Sequence, residues 1–545
     1  MSFKPSKIKL EKDKKTNYYP DIMNRKAIAI LILLTIFISF SFGLTTNDPN
    51  DTLYSHIDIW ENKGYISKLP QLRPYPTQYI IKLLEKVAAA GSAKDAAIAD
   101  GYLDELGPLS ISAGLTHRSL FSLDEYTGET GANVQIEGML APILSISGDI
   151  NLLLVDQQGE TALPVYTRSS VDLLPDWSDV DIFDKNYKVR QGINTSAAIG
   201  TDELYFQTGL IRSSFGPFTD DGAVISPKAP QSGHFSLTWL QESFSFNSTL
   251  LALTASTDTG TGRYPEKYLA MHTFTFYPLS RLELSVFESV VYGGRFEPMY
   301  LIPFSEFFYL QGTIGFPDNS LLGFSTSVDL PYNIDFDFLF YADDLHFNDM
   351  IRFDFDTKYK LSFQTGLSWA PEIDELRQIS LDYLLVTPYM YSHKTSGVVT
   401  VPNYQNYTHL GENLGPSLEP NSDRINLTIL LEPIDFLSLE LNGKYIRHGN
   451  GSVDGSENVG GGDGTIFDDG FLDDVCTFQE TTRFMDQDII EHTVQAGITA
   501  DAAFELGDFT VSGNGGYTLE WIKNRDLIEG EEWNHYFEIG LGLAY

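Results

Sequence analysis

Alternation of apolar and polar residues with a period of two runs through most of this chain and limits it to β structure. The segment 351–359 shows it most clearly, with isoleucine, phenylalanine and tyrosine at odd positions and arginine, aspartate and lysine at even ones. Because successive side chains of a strand point to opposite faces, the pattern predicts strands with one apolar face. It recurs elsewhere, notably in 282–286, 361–369, 379–385, 437–441 and 509–511.

Strands also provide the predicted route into a membrane. No segment after residue 43 approaches the roughly 20 apolar residues that a spanning helix needs, so insertion requires a closed sheet. Strand lengths cluster near the roughly 9 to 11 residues with which a tilted strand crosses a bilayer. Short turns, which face the periplasm in such barrels, alternate with long polar loops, which face outside. The turns lie at 278–281, 330–333, 432–435 and 505–508, and the longest loops at 395–423 and 450–488.

The carboxy terminus completes this pattern. Residues 537–545 alternate to the last residue, Tyr545. A final strand that ends in an aromatic residue resembles the signal by which the outer-membrane assembly machinery recognises its clients. The predicted fold class is therefore a transmembrane antiparallel β-barrel of about 18 strands, within a range of 16 to 20, with a small periplasmic helical module before it. The alternative is a soluble β-sandwich or jelly roll, which also alternates.

The first 43 residues are predicted to be a signal peptide. Arg25 and Lys26 precede the apolar stretch 27–40, and a small-residue cleavage site follows at 41–43. Met23 is an alternative start. An uncleaved anchor is the competing interpretation, although 14 apolar residues are short for a span. Export therefore leads to the outer membrane of a Gram-negative-type envelope.

Residues 44–108 change to helical spacing and predict a module of three helices. Gly64 is placed to end the first helix, and Thr77 and Ser92 are placed to cap the second and third. A core of this size is small, so the module is expected to pack on another part of the protein. The barrel then occupies 109–545.

Charge and cysteine content exclude several functions. The net charge is −38, and because the first 43 residues contribute +5, residues 44–545 carry −43. Such a surface repels nucleic acid and anionic lipid. The single cysteine, Cys476, cannot form an internal disulfide or a thiolate metal site.

Catalytic motifs are not evident in the chain. The ten histidines are scattered, and neither an H-E-x-x-H nor a G-x-S-x-G motif occurs. A glycosidase carboxylate pair cannot be singled out among 74 acidic residues. The predictions are therefore no enzymatic activity, no catalytic residues and no cofactor.

Three regions resemble the capsule-assembly Wzi family of outer-membrane proteins in order and spacing. The first is the helical module from Leu53 to Leu84, with its Gly64-Tyr65-Ile66 step and Leu72-Arg73-Pro74 corner. The others are 282–303, with Tyr292-Gly293-Gly294-Arg295 and Tyr300-Leu301-Ile302-Pro303, and the later stretches Asn406-Tyr407-Thr408-His409, Leu414-Gly415-Pro416 and Asn421-Ser422-Asp423-Arg424.

The resemblance implies an 18-stranded barrel with a periplasmic helical bundle that binds exported capsular polysaccharide and helps to hold it on the cell surface without catalysis. The expected partners are then the outer-membrane bilayer, the assembly machinery and an exported polysaccharide or lipopolysaccharide-like glycan.

Sugar binding uses aromatic faces together with polar groups that reach hydroxyls. Residues of these types cluster near predicted strand ends and are the candidate ligand contacts. The alternative is that the aromatic ones are girdle residues at the membrane interface. The candidates are Arg295, Glu297, Tyr389, Tyr391, His393, Tyr404, Tyr407 and His409.

The loop 449–474 is rich in aspartate and glycine. Calcium takes six to eight oxygen ligands from flexible loops, but the EF-hand spacing is absent. A solvated acidic loop is the favoured interpretation, and no metal site is predicted.

Two other functions fit a barrel. A porin or solute channel would have lumen-facing charges such as Arg352, Asp354 and Asp356 along a conducting pore. An adhesin or structural surface protein would use the long acidic loops. Conductance distinguishes the first of these from a glycan-binding barrel, and loop deletions distinguish the second.

Overall fold

A computed structural model describes residues 46–168, 176–182, 185–256, 263–344, 352, 360–393, 404–449, 484–485, 489–506, 509–525 and 528–545. The predicted signal peptide 1–43, the acidic residues of the loop 449–474, and Asp354 and Asp356 lie outside them. Of the segment 351–359 only Arg352 is described. The alternation predicted an extended conformation there, but Arg352 is helical.

Eighteen strands form a closed barrel in the described part of the chain. They are β1 (Leu109–Phe121), β2 (Tyr126–Ala141), β3 (Leu144–Gln158), β4 (Lys185–Gly200), β5 (Leu204–Ile211), β6 (Ser232–Leu240), β7 (Phe244–Ser256), β8 (Arg263–Leu279), β9 (Leu282–Gly293), β10 (Asn319–Leu330), β11 (Ile334–Asp344), β12 (Lys360–Trp369), β13 (Leu376–Val386), β14 (Ser422–Ile434), β15 (Leu437–His448), β16 (Glu491–Leu506), β17 (Phe509–Lys523) and β18 (Glu531–Ala544).

Each strand pairs antiparallel with the next, and the last strand closes the ring. Ala544 of β18 lies opposite Gly114 of β1, so the alternating carboxy terminus seals the sheet. A further strand, Asp176–Ile182, pairs with the first residues of β4 as a hairpin arm. The predicted fold class and the strand number of 18 are confirmed.

The two ends of the barrel differ in their connections. Turns of two to six residues join β2 to β3, β4 to β5 and every second pair that follows, which by the rule for such barrels marks the periplasmic end. The connections at the other, extracellular end are mostly long. The predicted short turns at 278–281, 330–333 and 432–435 lie between β8 and β9, β10 and β11, and β14 and β15.

The outer face of the barrel is apolar. On β9, Leu284 and Val286 are exposed, whereas the intervening Ser285 is buried toward the lumen. On β10, Leu322 and Phe324 are exposed in the same way. Because a wall of exposed leucine, valine and phenylalanine is stable only against hydrocarbon, the barrel spans a membrane with these side chains toward lipid. Among the described residues, no helix is long and apolar enough to cross a membrane.

Within residues 46–108, three helices precede the barrel: α1 (Thr52–Asn62), α2 (Thr77–Ala90) and α3 (Ala93–Glu105). Gly64 follows α1 with a φ of 72°, and the Ser92 hydroxyl accepts a hydrogen bond from the Asp95 amide at the start of α3. The position of Thr77 predicted that it caps α2, but it does not. Pro76 occupies the cap, and the Thr77 hydroxyl donates instead to Glu137 of β2, 2.6 Å away.

The helices share a core of their own, which includes Leu53, Trp60, Ile80 and Leu84, all fully buried. They form one compact unit with the barrel. Another described helix, α4 (Phe307–Ile314), lies in the connection between β9 and β10. The boundaries that the sequence predicts at residues 43 and 108 stay predictions.

Candidate functional site

In the described part of the chain, two connections from the extracellular end supply the fully buried loop side chains of an apolar core in the lumen. The first is 212–231, between β5 and β6, and the second is the described part of 387–421, between β13 and β14. We call them the lid loops. Within 212–231, Ser214–Phe215 pairs with Leu72–Arg73 of the helical module. The first lid loop therefore reaches through the barrel to the periplasmic module.

An apolar core joins the lid loops to the barrel wall. Its wall residues, such as Leu321 and Leu339, alternate with the lipid-facing positions and so point inward. Phe215 packs edge-on against Phe287 of β9, with ring centroids 4.8 Å apart. The lid-loop members are all almost completely buried, and they are Phe215, Ala223, Val224, Ile225, Met390, Tyr391, Tyr407, Leu414 and Leu418.

Tyr391 and Tyr407, two of the candidate ligand residues, lie at the centre of this core. Both are fully buried, and their ring centroids are 5.6 Å apart. The Tyr391 hydroxyl donates to the Ala223 carbonyl at 2.6 Å, which ties one lid loop to the other. Burial raises the pKa of the Tyr391 hydroxyl, so it stays a donor. The girdle interpretation is wrong for these two residues, because they face the lumen rather than the membrane interface.

His409 and Tyr389 are also buried. The His409 Nδ1 accepts from the Thr254 amide and its Nε2 lies 2.9 Å from the Gln231 carbonyl, so the ring links the second lid loop to β7 and to the first lid loop. Next to it, the Lys267 ammonium of β8 donates to the Thr408 hydroxyl at 2.9 Å. These side chains position the loop.

His393 and Tyr404 differ from the other aromatic candidates because both are partly exposed. The His393 amide donates to the Asn406 side chain at 2.7 Å. The Tyr404 ring lies so close to the end of β9 that a Cβ on Gly293 would meet it at 2.3 Å. They lie at the extracellular ends of the strands.

Arg295 and Glu297 lie in the connection between β9 and β10. Arg295 forms a bidentate ion pair with Asp318, in which Nη1 and Nη2 donate to the two carboxylate oxygens at 3.0 and 2.5 Å. Glu297 accepts from the Met299 amide at 3.2 Å. The structure therefore brings six of the eight candidates together on one lid loop and leaves this pair on the adjacent connection.

Asp221 holds the lid loops in place, although no sequence pattern pointed to this residue. Its carboxylate accepts from Arg424 of β14 at 2.5 Å, from the Ser417 hydroxyl at 2.6 Å and from the Ser226 hydroxyl at 2.9 Å. Burial favours the neutral acid, but the guanidiniums of Arg424 and Arg168 outweigh it and lower the pKa of Asp221. The buried carboxylate is therefore ionised and paired.

Arg168 binds the backbone of the second lid loop from the extracellular side. Its guanidinium donates to the carbonyls of Gly415 and Pro416 at 3.2 and 2.5 Å. It also approaches Glu412 at 3.5 Å. A third extracellular connection, between β3 and β4, thus holds the lid loop.

The periplasmic end is closed by the helical module. Asp95 of α3 is fully buried, and it accepts from Lys63 at 2.8 Å and from Arg377 of β13 at 2.6 Å. Arg377 and Lys94 also pair with Glu432 at the end of β14, at 3.2 and 2.9 Å. Burial opposes ionisation of Asp95, but the hydrogen bonds from Lys63, Ser92 and Arg377 outweigh it and lower its pKa. Charged pairs therefore fasten the module inside the barrel.

A cavity of about 370 Å³ remains between the module and the first lid loop. Ten carboxylate side chains and four cationic ones are among the residues that line it. Acidic side chains thus outnumber cationic ones around this space, which lies in the periplasmic half of the lumen. No group of three or more His, Cys, Asp or Glu side chains in the described ranges is arranged to hold a metal ion.

Comparison with known proteins gives matches of fold. No protein-family model matches the chain, and no curated protein matches it. Among solved structures, it is similar to Wzi of Escherichia coli, an outer-membrane protein involved in group 1 capsule assembly and described as a carbohydrate-binding β-barrel. The TM-score is 0.58, with 12% identity, over 93% of this chain and 100% of that one.

A weaker likeness extends to OprD of Pseudomonas aeruginosa, with a TM-score of 0.42 and 10% identity, over 80% of this chain and 95% of that one. The resemblance that the sequence indicated is confirmed as a resemblance of fold. The chain is an outer-membrane-type β-barrel with the 18-stranded, Wzi-like architecture.

Proposed function

We propose that this protein is a non-catalytic outer-membrane barrel that binds a surface polysaccharide, or a lipopolysaccharide-like glycan, and helps to retain it on the cell surface. The observation that carries the proposal is the filled lumen. A porin requires a continuous polar path for water and solute. Here the described part of the lumen is crossed by aromatic and aliphatic side chains that pack as in a protein core.

The fold of the chain adds support. Wzi, with which it shares its architecture, is described as carbohydrate-binding, and that property is transferred here as a proposal. The filled lumen gives it a physical basis, since a barrel that is closed at both ends serves as a rigid support for its extracellular loops.

The candidate residues divide into two roles. Tyr404 and His393, which are partly exposed at the extracellular ends of the strands, would contact the glycan. Tyr389, Tyr391 and Tyr407, with His409, would position the loop from below. Arg295 and Glu297 would fix the adjacent connection through Asp318 and the Met299 amide.

Retention of a polymer does not require tight binding at one site. Repeating units of a polysaccharide can engage many protein copies in one membrane, so that weak contacts add up through effective concentration. On this proposal the leader 1–43 is cleaved at export, and the assembly machinery recognises β18.

The test is binding of the purified, detergent-solubilised protein to polysaccharide and to lipopolysaccharide extracted from its own cells. The proposal predicts saturable binding that free oligosaccharide competes away. Replacement of Tyr404 by alanine should weaken binding about fivefold or more, since loss of one aromatic contact costs about 1 kcal/mol or more. The matched control is Tyr332→Ala, because Tyr332 is 85% exposed in a periplasmic turn. Absence of binding to either glycan would overturn the proposal.

A cation-conducting channel is the second candidate, and the acidic cavity favours it. For conduction both the lid loops and the helical module would have to leave the lumen. Stable conductance of the wild-type protein would support this function in place of glycan retention.

A further inference from the structure

The connection 294–318 between β9 and β10 lies on the outside of the barrel. We call it the strap. Within it, Tyr300 contacts Tyr292 of β9, with ring centroids 5.0 Å apart, and Phe304 stacks on Phe246 of β7 at 4.3 Å. The strand residues beneath it alternate with Leu251, Met271 and Phe287 of the lumen core. The strap therefore covers the lipid-facing surface of β7, β8 and β9.

A buried polar pair anchors the strap to this surface. His272 of β8 is completely buried, and its Nδ1 lies 3.6 Å from the Glu288 carboxylate of β9. The same ring nitrogen lies 3.1 Å from the Ser305 carbonyl, and Glu288 accepts from the Phe307 amide at 2.9 Å. Unpaired backbone groups are costly at membrane depth. The pair provides hydrogen-bond partners for two backbone groups of the strap, the Ser305 carbonyl and the Phe307 amide.

The outward face of the strap is strongly apolar. Phe308 is 63% exposed, Tyr309 71% and Phe316 54%. These three side chains, together with Glu306, Gly312 and Thr313, line an open groove of about 370 Å³. Gly312 has no side chain, so the floor of the groove stays open between aromatic walls.

The groove adjoins the lipid-facing surface of the barrel. Gln311 of α4 hydrogen-bonds to Ser320 at the start of β10. Leu322, two residues further along β10, is exposed to lipid. It pairs in register with Glu288 of β9, and Glu288 is the residue that lies beneath the strap. The walls of the groove thus continue the apolar belt of the barrel in its extracellular half. Glu306 caps α4 by accepting from the amides of Phe308 and Tyr309 at 3.0 and 2.7 Å, which compensates its charge.

We propose that this groove binds an acyl chain of an outer-leaflet lipid and holds that lipid beside the extracellular loops. Its continuity with the lipid-facing belt selects hydrocarbon as the occupant. A linear chain fits a trough with aromatic walls and a glycine floor. The proposal depends on the membrane position of the barrel and is independent of glycan binding.

The test is native mass spectrometry of the full chain after reconstitution in lipopolysaccharide vesicles, or in parallel in phosphatidylethanolamine vesicles, followed by detergent washing. We expect wild-type protein to retain one lipid from the lipopolysaccharide preparation. Replacement of Gly312 by phenylalanine fills the floor of the groove. Each methylene displaced weakens retention about fourfold, so the retained fraction should fall by more than about tenfold. The control is Leu322→Phe, which adds the same side chain to the belt outside the groove and should leave retention unchanged.

Folding of each variant is checked by the mobility of the unheated barrel in electrophoresis. If Gly312→Phe does not fold, the double variant Tyr309→Ala and Phe316→Ala removes the walls of the groove and should lose the lipid equally. Failure of the wild type to retain lipid, or equal retention in folded groove variants, would overturn the proposal. So would a dimer that Gly312→Phe disrupts, because a second copy would then occupy the groove.

Discussion

Replacement of Arg424 by methionine should release the lid loops from the lumen. The guanidinium is 2% exposed and pairs with Asp221, which is 5% exposed, and it also approaches Asp382 at 3.5 Å. Methionine keeps much of the volume and removes the charge. Asp221 then remains as a buried carboxylate that, among the described residues, accepts hydrogen bonds from hydroxyl and amide groups alone, with Arg168 as its remaining cationic neighbour.

The free-energy cost of this replacement follows from the burial of the ion pair. Removal of one partner of a buried ion pair costs about 3 to 5 kcal/mol, which converts to a roughly 10²- to 10⁴-fold increase in the ratio of open to closed lid. Barrel pairing should persist, because the strands keep their backbone hydrogen bonds. The perturbation therefore acts on the lid loops before it acts on the barrel.

Limited proteolysis reports the open lid. The protease should cleave the second lid loop much faster in Arg424→Met than in wild type. The matched control is Arg447→Met, since Arg447 pairs with Asp423 but is 37% exposed, so its loss should cost no more than about 1 kcal/mol. Equal behaviour of the two variants would refute the account of the lid.

Three further predictions concern the module and the core. Asp95→Asn should loosen the helical module by about 3 to 5 kcal/mol, seen as faster proteolysis of α3, whereas Lys82→Ala at a half-exposed pair should change little. Because the folded state lowers the pKa of Asp95, its contribution is complete above the ordinary aspartate pKa of about 3.9 and is lost as pH falls below that value. The protection of the module's amides, corrected for the intrinsic pH dependence of hydrogen exchange, should therefore be constant between about pH 5 and 8 and decrease below about pH 4. Tyr391→Phe should cost about 1 kcal/mol through loss of one hydrogen bond, and Tyr391→Ala about 3 to 5 kcal/mol through a cavity, as measured by denaturant unfolding. Equal losses in the two Tyr391 variants would contradict its role in the core.

The barrel was predictable because the pattern that specifies each strand lies within that strand's own residues. Period-two alternation shows in each strand separately, and the closing strand β18 shows it up to Tyr545. The helices were predictable for the same reason, through spacing and through caps such as Ser92. Thr77 was misjudged because a distant carboxylate, Glu137 of β2, competes for its hydroxyl, and no local rule contains that partner.

The lid loops were not predictable from alternation. The pattern indicates which residues share a face, but it does not indicate whether a connection folds into the lumen or away from it. Tyr391 and Tyr407 were therefore interpreted as ligand contacts or girdle residues, although they form the lumen core. One signal was present: the run Ala223-Val224-Ile225 is unusually apolar for a water-facing extracellular loop. The buried pair of Asp221 and Arg424, separated by about 200 residues, has no such local signal.

The central claim is that the barrel is a closed support for surface glycan rather than a conduit. Single-channel conductance of the wild-type protein in planar bilayers tests it most directly. We expect an electrically silent protein at neutral pH, because the lid loops and the helical module block the two ends of the lumen. Stable open steps from the wild-type protein would contradict the claim.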